Sequence, residues 1–140
     1  MWLKKLLVCF LAAVLLISSP TSVMAADNNE SAVSPCNLYT NQVITKFTIS
    51  SAGTANLLTR VSGYESLTTR VSVYVYLQKY QNGTWKTINS WSQATSASSL
   101  TLTKSVAVEK GYRYRMKVSS YVYSGSDSEN IVKYSVEAKY

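Results

Sequence analysis

The chain has 140 residues, with 14 lysines and arginines against 7 aspartates and glutamates, no histidine and two cysteines. Without histidine it lacks the commonest general base, the usual zinc ligand and every Ser-His or Cys-His nucleophile arrangement, so most catalytic machinery is excluded. Its cationic surplus is scattered instead of forming a dense basic run, which argues against a nucleic-acid partner.

In chain order, residues 1–25 read as an export signal. Lys4 and Lys5 form a basic head, Leu6 to Ile17 an apolar segment, and Val23 with Ala25 the small residues of a cleavage site. The expected mature protein is secreted and extracellular, one domain of about 115 residues (140 less 25). Its net charge is about +5 once Lys4 and Lys5 are removed from the 14 basic residues and set against 7 acidic ones. No later stretch reaches the roughly 18 to 20 continuous apolar residues of a spanning helix, so no stable membrane span is expected. Cys9 leaves with the leader, and Cys36 then stands alone: either a tolerated thiol or the site of an intermolecular disulfide.

Residues 26–41, with Asn28, Asn29, Glu30, Ser31, Ser34 and Pro35, lack periodicity and read as a flexible N-terminal arm. From residue 42 to 140 the pattern becomes period two, rich in Val, Thr, Ser and Tyr, with glycine at the breaks. Val43, Thr45, Phe47 and Ile49 form one face of a first strand. A break at Gly53 precedes a second strand, from about Ala55 to Val61, that ends at Gly63. In the third, Val71, Val73, Val75 and Leu77 face inward and alternate with Arg70, Ser72, Tyr74, Tyr76 and Gln78.

Asn82-Gly83 predicts a tight hairpin turn leading to a strand over Trp85–Trp91, with Ser92 to Ser99 as a polar loop. Leu100, Leu102, Val106 and Val108 mark the fifth strand. Gly111 introduces the sixth, where Tyr112, Tyr114, Met116 and Val118 alternate with Arg113, Arg115 and Lys117. After a turn at Gly125, the last strand is expected to turn Val132, Tyr134, Val136 and Ala138 inward, with Ile131, Lys133, Ser135 and Glu137 outward. About seven short strands without a helix predict an all-β fold, a single antiparallel β-sandwich of immunoglobulin or fibronectin type III kind, with a small β-barrel as the alternative.

The run from Gly111 through Tyr114, Met116 and Val118 resembles the fibronectin type III pattern, which implies that Tyr114 is a buried structural tyrosine bonded to nearby backbone. Leu77, Gln78, Lys79, Gly83, Trp85, Trp91 and Lys110 to Arg115 together resemble a group of small secreted Gram-positive bacterial proteins of uncharacterised function. That likeness gives Trp85 and Gly111 structural weight and transfers no ligand or catalytic residue.

Among the acids, Glu65, Glu109, Asp127 and Glu129 fall in or beside turns, where solvation is the default, and with Glu137 they form no recognisable catalytic pair. Asp127 and Glu129 are too few to define a calcium site. Neither a metal nor another cofactor is expected. The 11 tyrosines are the suggestive group. If the third and sixth strands share a sheet, Tyr74, Tyr76, Arg113, Arg115 and Lys117 lie on one outer face. Such a face suits a glycan, an anionic wall polymer or a protein partner. The sequence therefore favours a secreted, non-enzymatic binding module. Plain cross-strand packing of rings and cations is the competing account of the face, and a membrane-active, toxin-like protein the competing function. An uncovered strand edge leaves oligomeric state open.

Overall fold

The computed structural model describes residues 37–140. The leader, most of the N-terminal arm and Cys36 lie outside the described residues. Eight strands follow in order: β1 (Thr40–Ile49), β2 (Thr54–Gly63), β3 (Arg70–Gln81), β4 (Thr84–Thr95), β5 (Ser99–Ala107), β6 (Arg113–Ser124), β7 (Asp127–Tyr134) and β8 (Ala138–Lys139). They form two antiparallel sheets, one ordered β1-β2-β5 and the other β4-β3-β6-β7, with β8 also pairing β6. The fold is a β-sandwich and does not close into a barrel.

Three hairpins, β1–β2, β3–β4 and β6–β7, each stay within one sheet, whereas the chain changes sheet after β2, β4 and β5. That alternation lays every inward-facing row against the opposite sheet. Phe47, Leu57, Val61, Leu100 and Leu102 from one side meet Val71, Val73, Val75, Leu77, Tyr114, Met116, Val118 and Val122 from the other. Each fully buried aliphatic side chain of this kind contributes roughly 1.5–3 kcal/mol relative to exposure. The run Thr-Arg-Val-Ser occurs at residues 59–62 and again at 69–72, and its copies fall on β2 and at the start of β3, in different sheets, so they mark two like strands and no repeat unit.

Local chemistry sets the corners. Asn82 and Gly83 both take positive φ, 53° and 76°, and close the β3–β4 hairpin in two residues. Gly63 is needed for closeness instead: a Cβ there would collide with the Thr68 hydroxyl and come within 2.8 Å of the Val122 side chain. At the base of β6, Tyr114 is fully buried and its hydroxyl donates to the Glu109 carbonyl at 2.8 Å. Burial pushes its phenol above the ordinary value of 10.0, against the opposing pull of the Lys79 charge.

The structure corrects the expected pattern at four places. β1 begins at Thr40, two residues before the expected boundary, because Glu129 fixes this entry: its carboxylate accepts from the amides of Leu38, Tyr39 and Thr40 at 3.1, 3.2 and 2.9 Å. Glu129 is therefore not a solvated turn residue. Residues 92–95 are strand, not loop. They complete β4 at the sheet edge, where polar side chains meet water on one side and backbone pairing to Val71–Tyr74 is retained.

The last strand has the opposite phase from the one expected. Ile131 packs on the core, while Val132, Tyr134 and Val136 are exposed. The cause is again the link to β1: residues 129, 131 and 133 point toward it, and Lys133 Nζ donates to the Val43 carbonyl at 2.9 Å. This strand is also divided. Ser135 takes over the ladder, its N–H donating to the Met116 carbonyl and its hydroxyl accepting from the Met116 N–H, both at 2.9 Å. Pairing resumes at β8, where Ala138 does face inward, giving eight strands in place of seven.

Candidate functional site

Antiparallel pairing puts directly opposed residues on the same face. Across β4, β3, β6 and β7 the outward rows are Ser92, Tyr74, Ser119, Val132; then Ser90, Tyr76, Lys117, Tyr134. Next come Thr87, Gln78 and Arg115, and finally Trp85, Tyr80 and Arg113. Above them, Tyr121 faces Ser72 and Tyr123 faces Arg70. The outer side of the five-stranded sheet therefore holds all five residues expected at a binding face: Tyr74, Tyr76, Arg113, Arg115 and Lys117.

The face divides into two halves. In the first, Tyr74 meets Tyr121 edge-on, ring centroids 6.0 Å apart, and Tyr121 stacks with Tyr123 at 6.4 Å. Tyr74 is 40 % exposed, and no cation lies over its ring among the described residues. Tyr74 and Tyr76 stand as a ridge between two shallow depressions. One, of about 160 Å³, is bounded by Ser90, Trp91 and Ser92; the other, of about 280 Å³, by Ser119, Tyr121 and Tyr123. Both are rimmed by hydroxyls.

The second half is cationic. The Arg115 guanidinium lies between Trp85 and Tyr134, 4.2 and 4.4 Å from their centroids, and its Nε donates to Gln78 Oε1 at 2.9 Å. Arg113 covers Tyr80 at 4.3 Å and pairs with Glu137 at 3.0 Å. Lys117 lies 5.8 Å from the Tyr76 centroid and links the halves. Such contacts contribute about 0.5–1 kcal/mol each at exposed positions and hold long side chains in place.

Trp85 is on this outer face, tilted at 57° against Tyr80 with ring centroids 5.1 Å apart, and takes no part in the interior. Trp91 is the tryptophan that packs against the core. Gly111 sits at φ 94°, its N–H bonded to the Tyr140 carbonyl. Sequence reasoning did not select Tyr80, Tyr121, Tyr123 or Tyr134. The first three follow from extending the alternation of β3 by one step and of β6 by two and three steps, whereas Tyr134 was hidden by the inverted phase of β7.

Apart from Glu137, the acids lie elsewhere. Glu109 pairs with Lys79 at 2.9 Å, and that bond raises the Lys79 pKa above its ordinary value. Burial by itself would raise the Glu129 carboxyl, but the Thr40 hydroxyl beside it and the three donated amides outweigh burial and hold it below the ordinary 4.5. Among the described residues no three His, Cys, Asp or Glu side chains gather in a way that could hold a metal ion. Nor is any described helix long and apolar enough to cross a membrane. No family model matches the chain, and no curated protein is similar to it.

Proposed function

We propose that this chain is a secreted, non-enzymatic binding module that engages a cell-envelope polymer through the outer face of its five-stranded sheet. One observation carries the reading: Tyr74, exposed, and Tyr76, half-buried, stand between two hydroxyl-rimmed depressions, on a face whose one carboxylate among the described residues is Glu137, at the rim on Arg113. Aromatic ridges of this kind stack on the apolar faces of sugar rings, and flanking hydroxyls meet the rings' polar edges.

The non-enzymatic part of the reading rests on the chemistry of the chain. There is no histidine, and Glu109, Glu129 and Glu137 are occupied by Lys79, by backbone amides and by Arg113. Export rests on the leader pattern of residues 1–25. The test is retention on purified cell-wall fractions. Replacing Tyr74 and Tyr76 together by serine is expected to abolish retention with an unchanged fold by circular dichroism. Retention equal to wild type rejects this site.

A further inference from the structure

We infer that the polymer recognised at this face is an acidic glycan, lying along β3 and β6 with its sugar rings on Tyr74 and Tyr76 and its acid groups on Lys117, Arg115 and Arg113. The inference rests on the binding-module reading above and adds the chemical class of ligand.

The first support is the distribution of charge. The outward positions of the sheet carry Arg70, Arg113, Arg115, Lys117 and Lys139. Asp127 and Glu129 share the parity of Ile131 and leave the face, Glu109 pairs with Lys79 away from it, and Glu65 lies in the β2–β3 connection. Glu137 reaches only Arg113, at the rim. Among the described residues, Arg70, Arg115 and Lys117 have no carboxylate partner.

Arg113 stands directly opposite Lys139, and Arg113, Arg115 and Lys117 are successive outward residues of one strand. Like charges so placed oppose folding, and an anion would relieve them. Their spacing, two residues of strand, is about 6.6–6.8 Å. That suits a polymer with acid groups repeated at intervals of a similar length or a small multiple of it.

The second support is preorganisation. Arg115 is held between two rings and by Gln78 through Nε alone, so its remaining N–H donors keep the fork that matches a carboxylate or phosphate in two-point contact. Side chains already fixed lose little freedom when a ligand arrives. Tyr76 pairs across the ladder with Lys117, so the sugar-stacking ridge and the cation row are contiguous.

The experiment compares acidic polymers with matched neutral ones on the full mature chain: polygalacturonate against its methyl ester, dextran phosphate against dextran, and inorganic polyphosphate as a sugar-free polyanion. At least one acidic polysaccharide is expected to bind about tenfold or more tighter than its neutral parent, with affinity falling as salt rises. The carboxylate and phosphate pairs identify which acid is preferred. Arg115→Gln, and separately Lys117→Gln should the first variant misfold, is expected to weaken acidic polymers about tenfold. Tyr74→Ser with Tyr76→Ser is expected to weaken polygalacturonate or dextran phosphate and to spare polyphosphate.

Equal binding of acidic and neutral polymers overturns the inference but leaves the binding module standing, as does tyrosine-dependent retention on walls with none of these acidic polymers bound. Polyphosphate bound as tightly as the acidic polysaccharides, with no effect of the tyrosine variant, also overturns it. Loss of tyrosine-dependent retention on every wall fraction removes the parent reading too.

Discussion

The two sheets bury the same kinds of residue inside and differ on the outside. Outward positions of the three-stranded sheet are Gln42, Ile44, Lys46 and Thr48 on β1, Asn56, Leu58 and Arg60 on β2, and Thr101, Thr103 and Ser105 on β5. None is aromatic. The five-stranded sheet places Tyr74, Tyr76, Tyr80, Trp85, Tyr121, Tyr123 and Tyr134 outward. Strand propensity suits tyrosine and threonine alike, and the three-stranded sheet forms with no aromatic residue on its outer side. The rings and their cations are concentrated on one side.

The sharpest way to break that contrast is to compare tyrosines inside and outside the same sheet. Tyr114→Ala empties a fully buried aromatic site and is expected to cost about 3–5 kcal/mol in urea unfolding. Tyr74→Ser with Tyr76→Ser, on the opposite face, is expected to cost about 1 kcal/mol or less per residue while removing binding. A comparable loss of stability at both places would make the outer rings structural and dissolve the contrast between the sheets.

The next effect concerns the flank where the sheets are joined. Glu129→Gln keeps the shape of the clamp on Leu38, Tyr39 and Thr40 but loses its charge, and is expected to cost roughly 1–2 kcal/mol at neutral pH. Because folding lowers the Glu129 pKa below 4.5, its contribution is present above that value and is lost as pH falls through the lower folded value. Melting temperature in the wild type should therefore drop more steeply below about pH 4.5 than in the variant. Parallel curves would remove Glu129 as the acid-sensitive clamp.

Smaller still is Tyr114→Phe, which deletes only the bond to the Glu109 carbonyl and is expected to cost about 1 kcal/mol. The smallest change is on the plain sheet. Arg60→Gln should leave stability within about 0.5 kcal/mol and binding unchanged by titration, since exposed substitutions away from a site have little effect. A loss of binding there would place the contact surface on the wrong sheet.

The third strand was legible because both of its faces are uniform, valines and leucine against tyrosines, and because Asn82-Gly83 admits few conformations besides a hairpin. The five residues expected on one face lie there because β3 and β6 are neighbours in the sheet. β7 was not legible. It is an edge strand whose inward parity carries Glu129 and Lys133 as links to β1, while Val132 and Tyr134 imitate a core row yet join the aromatic surface. Period-two alternation marks which residues share a face and leaves open which face is buried. At an edge, polar contacts with the facing sheet settle that choice. The same reasoning explains Ser92–Thr95, whose polar side chains conceal a strand held by backbone pairing alone.

Mapping backbone amide shifts while an isotopically labelled mature chain is titrated with solubilised wall polymer tests the contrast between the sheets most directly. The account predicts perturbations concentrated on β3 and β6, strongest from Tyr74 to Tyr76 and from Arg113 to Lys117, with β1, β2 and β5 unchanged. Perturbations centred on β1, β2 and β5 would contradict it.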